Sequence, residues 1–145
     1  MGCEVVFILG GPGAGKGTQC GLLEERLGND NKSNSNTSTN GTCTWKHLSA
    51  GDLLRAERQN KQSELSTIIN TKIANGELVP SSITCRLLEQ AMVEASNSKN
   101  NVTKFLIDGF PRSHENMAAW NDNANLKEHC SLKFVLNFEC PEEVL

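Results

Sequence analysis

The sequence predicts an α/β domain, a parallel sheet with helices on both faces, and three observations carry that expectation. The run EVVFIL at residues 4–9 is apolar and β-branched after its first residue, as a strand covered on both faces must be. Two further runs of strand length, KFLID and LKFVLNFE, alternate with stretches of helical periodicity. Between the first strand and the first helix stands GGPGAGKGTQ, residues 10–19, with five glycines around a single lysine.

Each element follows in order. After EVVFIL, the segment GTQCGLLEERLG puts Cys20, Leu23 and Leu27 on one helical face, and Gly28 reads as its stop. Residues 29–44, NDNKSNSNTSTNGTCT, are nearly free of apolar side chains and cannot bury enough surface to offset their ordering entropy, so a disordered surface insertion is expected there. WKHLSAGDLLR is a short strand running into a helix. Leu65, Ile68, Ile69 and Ile73 recur at helical spacing, and SSITCRLLEQAMVEA is an amphipathic helix capped by Ser81 or Ser82. KFLIDGFPR is a buried strand ending in an aspartate, SHENMAAW a helix, and LKFVLNFE a strand. PEEVL opens a last helix with Pro141 near its first position.

At 145 residues the chain fits one domain, residues 1–145. A net charge of −3 gives no general positive field, which argues against nucleic acid and an anionic membrane as partners but not against a small phosphate ligand. No apolar run approaches the roughly 20 residues of a membrane span. Six cysteines are scattered without a C-x-x-C pair or a histidine at ligand spacing, so reduced thiols in a cytoplasmic protein are expected rather than a disulfide or zinc framework. A cytoplasmic location, with the nucleus as a second, is the expectation.

The glycine-rich stretch sits where a phosphate loop must: after a buried strand and at the start of a helix. Glycines let successive backbone N–H groups converge on phosphate oxygens, the helix N-terminus adds its positive end, and Lys16 supplies a point charge. One feature departs from the general motif, because Lys16 is followed by Gly17 and only then by Thr18. In FLIDGFPR, three apolar residues deliver Asp108 to the carboxyl end of a strand, where open α/β sheets bind ligands and an acid can hold magnesium directly or through its waters. Arg112 just beyond offers a planar fork for phosphate. In HLSAGDLLR, Arg55 lies one helical turn past Asp52, a spacing that alone signals only a solvated pair.

GGPGAGKGTQ, HLSAGDLLR, NGELVP and DGFPR, in this order, resemble the nucleoside monophosphate kinases of the adenylate kinase and uridylate–cytidylate kinase group. Gly17 before Thr18 is what that family's loop looks like. The resemblance implies a three-layer P-loop NTPase fold with strand order 2-3-1-4-5 and a helical part at about residues 49–80 that binds the acceptor nucleotide. It implies transfer of the ATP γ-phosphoryl group to a nucleoside monophosphate, with ATP and Mg2+ as cofactors. Gly13, Ala14, Gly15, Lys16, Gly17 and Thr18 would hold the ATP phosphates, and Asp108 would orient the water shell of the magnesium. Arg55 and Arg112 would grip the acceptor phosphate, while Glu77, Leu78, Val79, Gly109, Phe110, Pro111 and Asn116 would complete the acceptor site. The catalytic set is thus Lys16, Arg55, Asp108 and Arg112. Asn116, four residues past Arg112, stands where the resembling adenylate kinases carry glutamine and the uridylate–cytidylate kinases asparagine, so UMP and CMP are the expected acceptors; AMP is the alternative. No arginine follows Arg112, whereas the family continues past CPEEV with an arginine-bearing lid and a fifth strand. The resemblance therefore implies a C-terminally incomplete kinase domain, with a lid-less nucleotide-binding protein as the other reading. A monomer is expected for the complete family member and self-association for these residues alone.

Overall fold

The structure is a computed structural model that describes residues 2–11, 14–33, 45–99 and 101–139. Four strands, β1 (Cys3–Gly10), β2 (Trp45–Ser49), β3 (Lys104–Asp108) and β4 (Cys130–Phe138), form one sheet in the order β2-β3-β1-β4. All pairings are parallel. Six helices join them: α1 (Lys16–Ser33), α2 (Ala50–Gln59), α3 (Glu64–Ala74), α4 (Ser81–Asn97), α5 (His114–Asp122) and α6 (Ala124–His129). This is the expected α/β fold, with the expected order of its first four strands.

The period of two along the strands divides the core. Val5 and Phe7 of β1, with Phe105 and Ile107 of β3, face Leu88 and Met92 of α4, Trp120 of α5 and Leu126 of α6. Val6, Ile8 and Leu106 face the other way and pack on Cys20 and Leu23 of α1. A third, smaller cluster joins Ile69 of α3 to Ile83 and Leu87 of α4. Leu53 of α2 touches both this cluster and the main core, so the α2–α3 unit is fastened to the sheet chiefly through α4 and Leu53.

Four local expectations are corrected. α1 does not stop at Gly28 but continues to Ser33, so residues 29–33 of the expected insertion are helical. One helical glycine costs only about 1 kcal/mol, and extending a formed helix avoids a new nucleation. Residues 34–44 lie outside the described residues, as does the helix expected at Pro141. The cap of α4 is Pro80, without a side-chain hydrogen bond; Ser81 is its first helical residue, because its hydroxyl accepts from Asn116 instead. Of the periodic apolar residues of α3, Ile69 is fully buried while Ile68 and Ile73 are exposed. Finally, α6 was not expected: Asn123 caps it by accepting from the Leu126 N–H, while its Nδ2 donates to Glu89 of α4.

β4 departs from simple alternation. Val5 pairs with Leu132 and Val6 with Phe134, so Lys133 is an extra residue at a bulge and the flanking apolar side chains fall on opposite faces. Leu132, Phe134 and Val135 are exposed, on a strand that forms one edge of the described sheet.

At the centre of the core Phe7 meets Trp120 and Phe110 edge-on, with centroids 5.1 and 5.8 Å away. Phe7→Ala should cost about 3–5 kcal/mol in urea unfolding, since it leaves a cavity under two rings. Leu78→Ala, at a position 90% exposed, should change stability by less than about 0.5 kcal/mol.

Candidate nucleotide-phosphate site

Lys16, Asp108 and Arg112 collect at the carboxyl ends of β1 and β3, where open parallel sheets offer a crevice for a ligand. β1 ends at Gly10, and α1 begins at Lys16. A Cβ on Gly10 would lie 2.9 Å from the Phe138 carbonyl oxygen and 3.1 Å from Cγ of Lys16, so only glycine lets the lysine fold back over the strand end. Gly15 holds φ +80°, which lets the chain turn into the helix. The N–H groups of Lys16, Gly17 and Thr18 have no intrahelical acceptor by the geometry of a helix start. Ala14 closes the loop by donating to the Gly11 carbonyl at 3.2 Å. Gly13 lies outside the described residues.

Asp108 ends β3 and is 7% exposed. Its Oδ1 lies 3.4 Å from Lys16 Nζ, an ion pair without a hydrogen bond. Its Oδ2 is 3.3 Å from Nε2 of His47 on β2. A buried carboxylate with one oxygen lacking a donor suits an additional cation or its water shell, and magnesium prefers such oxygen ligands. The donor set therefore fits the magnesium that the sequence pattern implies.

Beyond Asp108 the chain turns sharply. Gly109 has φ +77°, and a Cβ there would stand 3.1 Å from the Arg112 guanidinium. The Phe110–Pro111 peptide is cis, and the Phe110 side chain is buried in the core, leaving only its backbone on the site side. Ser113 caps α5 by accepting from the Asn116 N–H, which turns Asn116 back toward the loop. Its Oδ1 accepts from the Arg112 N–H at 2.8 Å and its Nδ2 donates to Ser81 Oγ at 2.7 Å. Of the amide's two N–H groups and two lone pairs, one of each remains. A cavity of about 600 Å³ is lined by Lys16, Gly109, Pro111 and Arg112 together with Ile8, Leu9 and Gly10.

The remaining expected residues lie on the α2–α4 side. Arg55, exposed on α2, is paired with Asp52, and its guanidinium lies 3.2 Å from where a Cβ on Gly51 would stand. Glu77 pairs with Lys72, Leu78 projects into solvent, and Val79 packs on the Ile69 cluster. Lys16, Gly109, Pro111 and Arg112 thus line one cavity, with Asp108 3.4 Å from the Lys16 ammonium, whereas Arg55 and residues 77–79 do not line it.

Three residues were not singled out by sequence reasoning. His47 opens the HLSAGDLLR stretch, but nothing in its spacing announced a contact with Asp108, 61 positions away. Glu24 accepts from the His47 backbone N–H at 3.1 Å and ties α1 to β2. Cys20 is fully buried beside Asp108, and burial, with the carboxylate's charge adding to it, pushes its thiol up to about 11.

A family model described as adenylate kinase matches residues 32–145, well over half of the chain. The chain belongs to the adenylate kinase family. The phosphate loop lies before the matched segment, so loop and family match are independent observations. Among curated relatives, UMP-CMP kinase of Danio rerio is 43% identical over 141 residues, and UMP-CMP kinase of Homo sapiens 42% over 140. UMP-CMP kinase 2 of Caenorhabditis elegans is 43% identical over 141 residues. Each alignment covers 97% of this chain but only 62–63% of the relative, so the chain spans under two thirds of their length. Among the described residues no helix is long and apolar enough to cross a membrane.

If Lys16 holds phosphate in this family member, Lys16→Ala should weaken ATP binding about 10- to 100-fold, the loss of one charge-assisted contact. Lys127→Ala, an exposed cation on α6, should leave it unchanged. Calorimetric titration of the two variants checks this.

Proposed function

We propose that the protein is a nucleoside monophosphate kinase that transfers the ATP γ-phosphoryl group to UMP or CMP. The observation that carries this reading is the Lys16–Asp108 pair at a cavity whose wall also bears Arg112. A phosphoryl-transfer site needs cations on the transferred group and an acid for the metal, with little covalent work for the protein. Lys16 and the N–H groups at the start of α1 would bind the outer phosphates of ATP. Magnesium, held by Asp108 through a water, would supply charge neutralisation at the phosphate oxygens. Arg112 would orient the acceptor phosphate from the other part of the loop, and Arg55 would join it from α2. Fixing donor and acceptor in line removes much of the entropic barrier.

The acceptor base is supported by two observations. Asn116 keeps one free N–H and one free lone pair, a donor and an acceptor that suit a pyrimidine edge. The similar relatives bear the name UMP-CMP kinase. Residues 49–80 would form the acceptor-binding part, with the exposed Leu78 and its neighbours beside the base.

UMP and CMP should therefore raise the melting temperature more than AMP, since a ligand at a hundredfold excess over its Kd stabilises the native state by about 2.7 kcal/mol. Asn116→Gln should narrow the difference, and a larger shift with AMP in the unmodified protein would count against a pyrimidine acceptor.

The exposed side chains of β4 support a second expectation, that these 145 residues associate with one another through that strand. An apolar sheet edge is a template for pairing, and Phe134, 55% exposed, is its largest uncovered side chain. Sedimentation should reveal association at micromolar concentration, and Phe134→Lys should reduce it; a monomer throughout would overturn this expectation.

A further inference from the structure

We propose that Cys20, His47 and Asp108 form a binding site for a thiophilic divalent cation of the zinc class, beneath the phosphate loop. One ligand atom from each residue lies within 4.8 Å of the other two. The three come from α1, β2 and β3, so the packing of these elements, not a flexible loop, fixes the set. Nε2 of His47 and Oδ2 of Asp108 are 3.3 Å apart. That is about the 3.3 Å edge of a tetrahedron with bonds of about 2.0–2.1 Å, the usual Zn–N and Zn–O lengths. A sulfur at about 2.3 Å from the same ion would stand about 3.5 Å from the other ligands, so the Cys20 sulfur, now within 4.8 Å of them, has at most about 1.3 Å to move.

The ligand chemistry separates this site from the magnesium role of Asp108. Magnesium takes oxygen ligands, and neither a thiol nor an imidazole serves it. A sulfur, a nitrogen and a carboxylate together are the mixed donor set of zinc, with a fourth position left for water or phosphate. Asp108 is nine-tenths buried, and its Oδ1 accepts no hydrogen bond, so the carboxylate has coordination capacity to offer. Binding replaces the Cys20 S–H bond by an S–metal bond and releases that proton to solvent.

Occupancy would have a consequence for the neighbouring loop. Lys16 Nζ stands 3.4 Å from Asp108 Oδ1, and a dication on the same carboxylate repels the ammonium. Metal binding should thus oppose phosphate binding by Lys16. The site itself stands on the three ligands alone and does not depend on which nucleotide is the acceptor.

Co2+ titrated into the 145-residue chain is the test, because a thiolate ligand gives a near-ultraviolet charge-transfer absorption. The band should appear and be displaced by one equivalent of Zn2+. Cys20→Ser and His47→Gln should each weaken binding at least about tenfold, one lost ligand being worth roughly that or more. Cys85→Ser, which removes a buried thiol on α4, should leave the titration unchanged. Circular dichroism melts would establish that each variant is folded, and should Cys20→Ser fail to fold, His47→Gln decides. No charge-transfer band in the unmodified chain, or a Zn2+ affinity unaltered in folded Cys20→Ser or His47→Gln, overturns the proposal.

Discussion

Asp108 is a charge placed at the end of a strand whose other side chains are buried, and burial of an unpaired carboxylate costs several kcal/mol in a folded protein. The partners it needs come from two other places in the chain. Lys16 arrives from the start of α1 and His47 from the middle of β2. β3 lies between β1 and β2 in the sheet, so both neighbours can lean over its carboxyl end. The pairing therefore presupposes the strand order, in which β2, the next strand after α1, lies on the far side of β3 from β1. One oxygen of the carboxylate still lacks a donor. The Lys16 ammonium, 3.4 Å away, compensates the charge of that oxygen without a hydrogen bond to it.

Glycine sets how closely cations approach this carboxylate and the cavity. Gly10 lets Lys16 lie over the β1 end, and Gly109 leaves room for the Arg112 guanidinium. In both places the stem or head of a cation lies about 3.1 Å from where a Cβ would stand. Gly109 also holds positive φ, so a substitution there would add backbone strain to the clash. The same arrangement recurs at Gly51 beneath Arg55. Lys16 is thus seated against backbone and mostly covered, which lowers the entropy it loses on taking a ligand, whereas Arg55 remains largely in water.

Sequence patterning carried the sheet because its signals are local. EVVFIL and KFLID read as strands from composition alone, and each proved buried where expected. Asp108, Lys16 and Arg112 were legible because each stands beside a strand end or a glycine turn. What was not legible depends on distance along the chain. His47, Cys20 and Glu24 acquire their neighbours only when β2 is laid beside β3 and α1 packs across them. Helix ends were misplaced for a similar reason. Ser81 has the composition of a cap, but its hydroxyl is taken by Asn116, 35 positions on, and Pro80 holds the position instead. Gly28 has the composition of a stop, yet α1 passes through it.

The pairing of Arg55 with Asp52 bears on whether that guanidinium is available to a phosphate. The two side chains are three positions apart on α2, and both are largely in water. Exposed pairs of this kind are worth about 0–1 kcal/mol, because the charges are screened and two long side chains must be held still. A phosphate that accepts two parallel N–H bonds from the same fork offers charge-assisted contacts, each of about 1.5–3 kcal/mol. The comparison favours the phosphate. If Arg55 takes an acceptor phosphate as proposed, Asp52 would act as a holding partner, keeping the guanidinium over Gly51 at a cost small enough for it to be released. Lys16 differs, since its carboxylate partner is buried and cannot be exchanged for water so cheaply. Asp52 thus holds Arg55 less firmly than Asp108 holds Lys16.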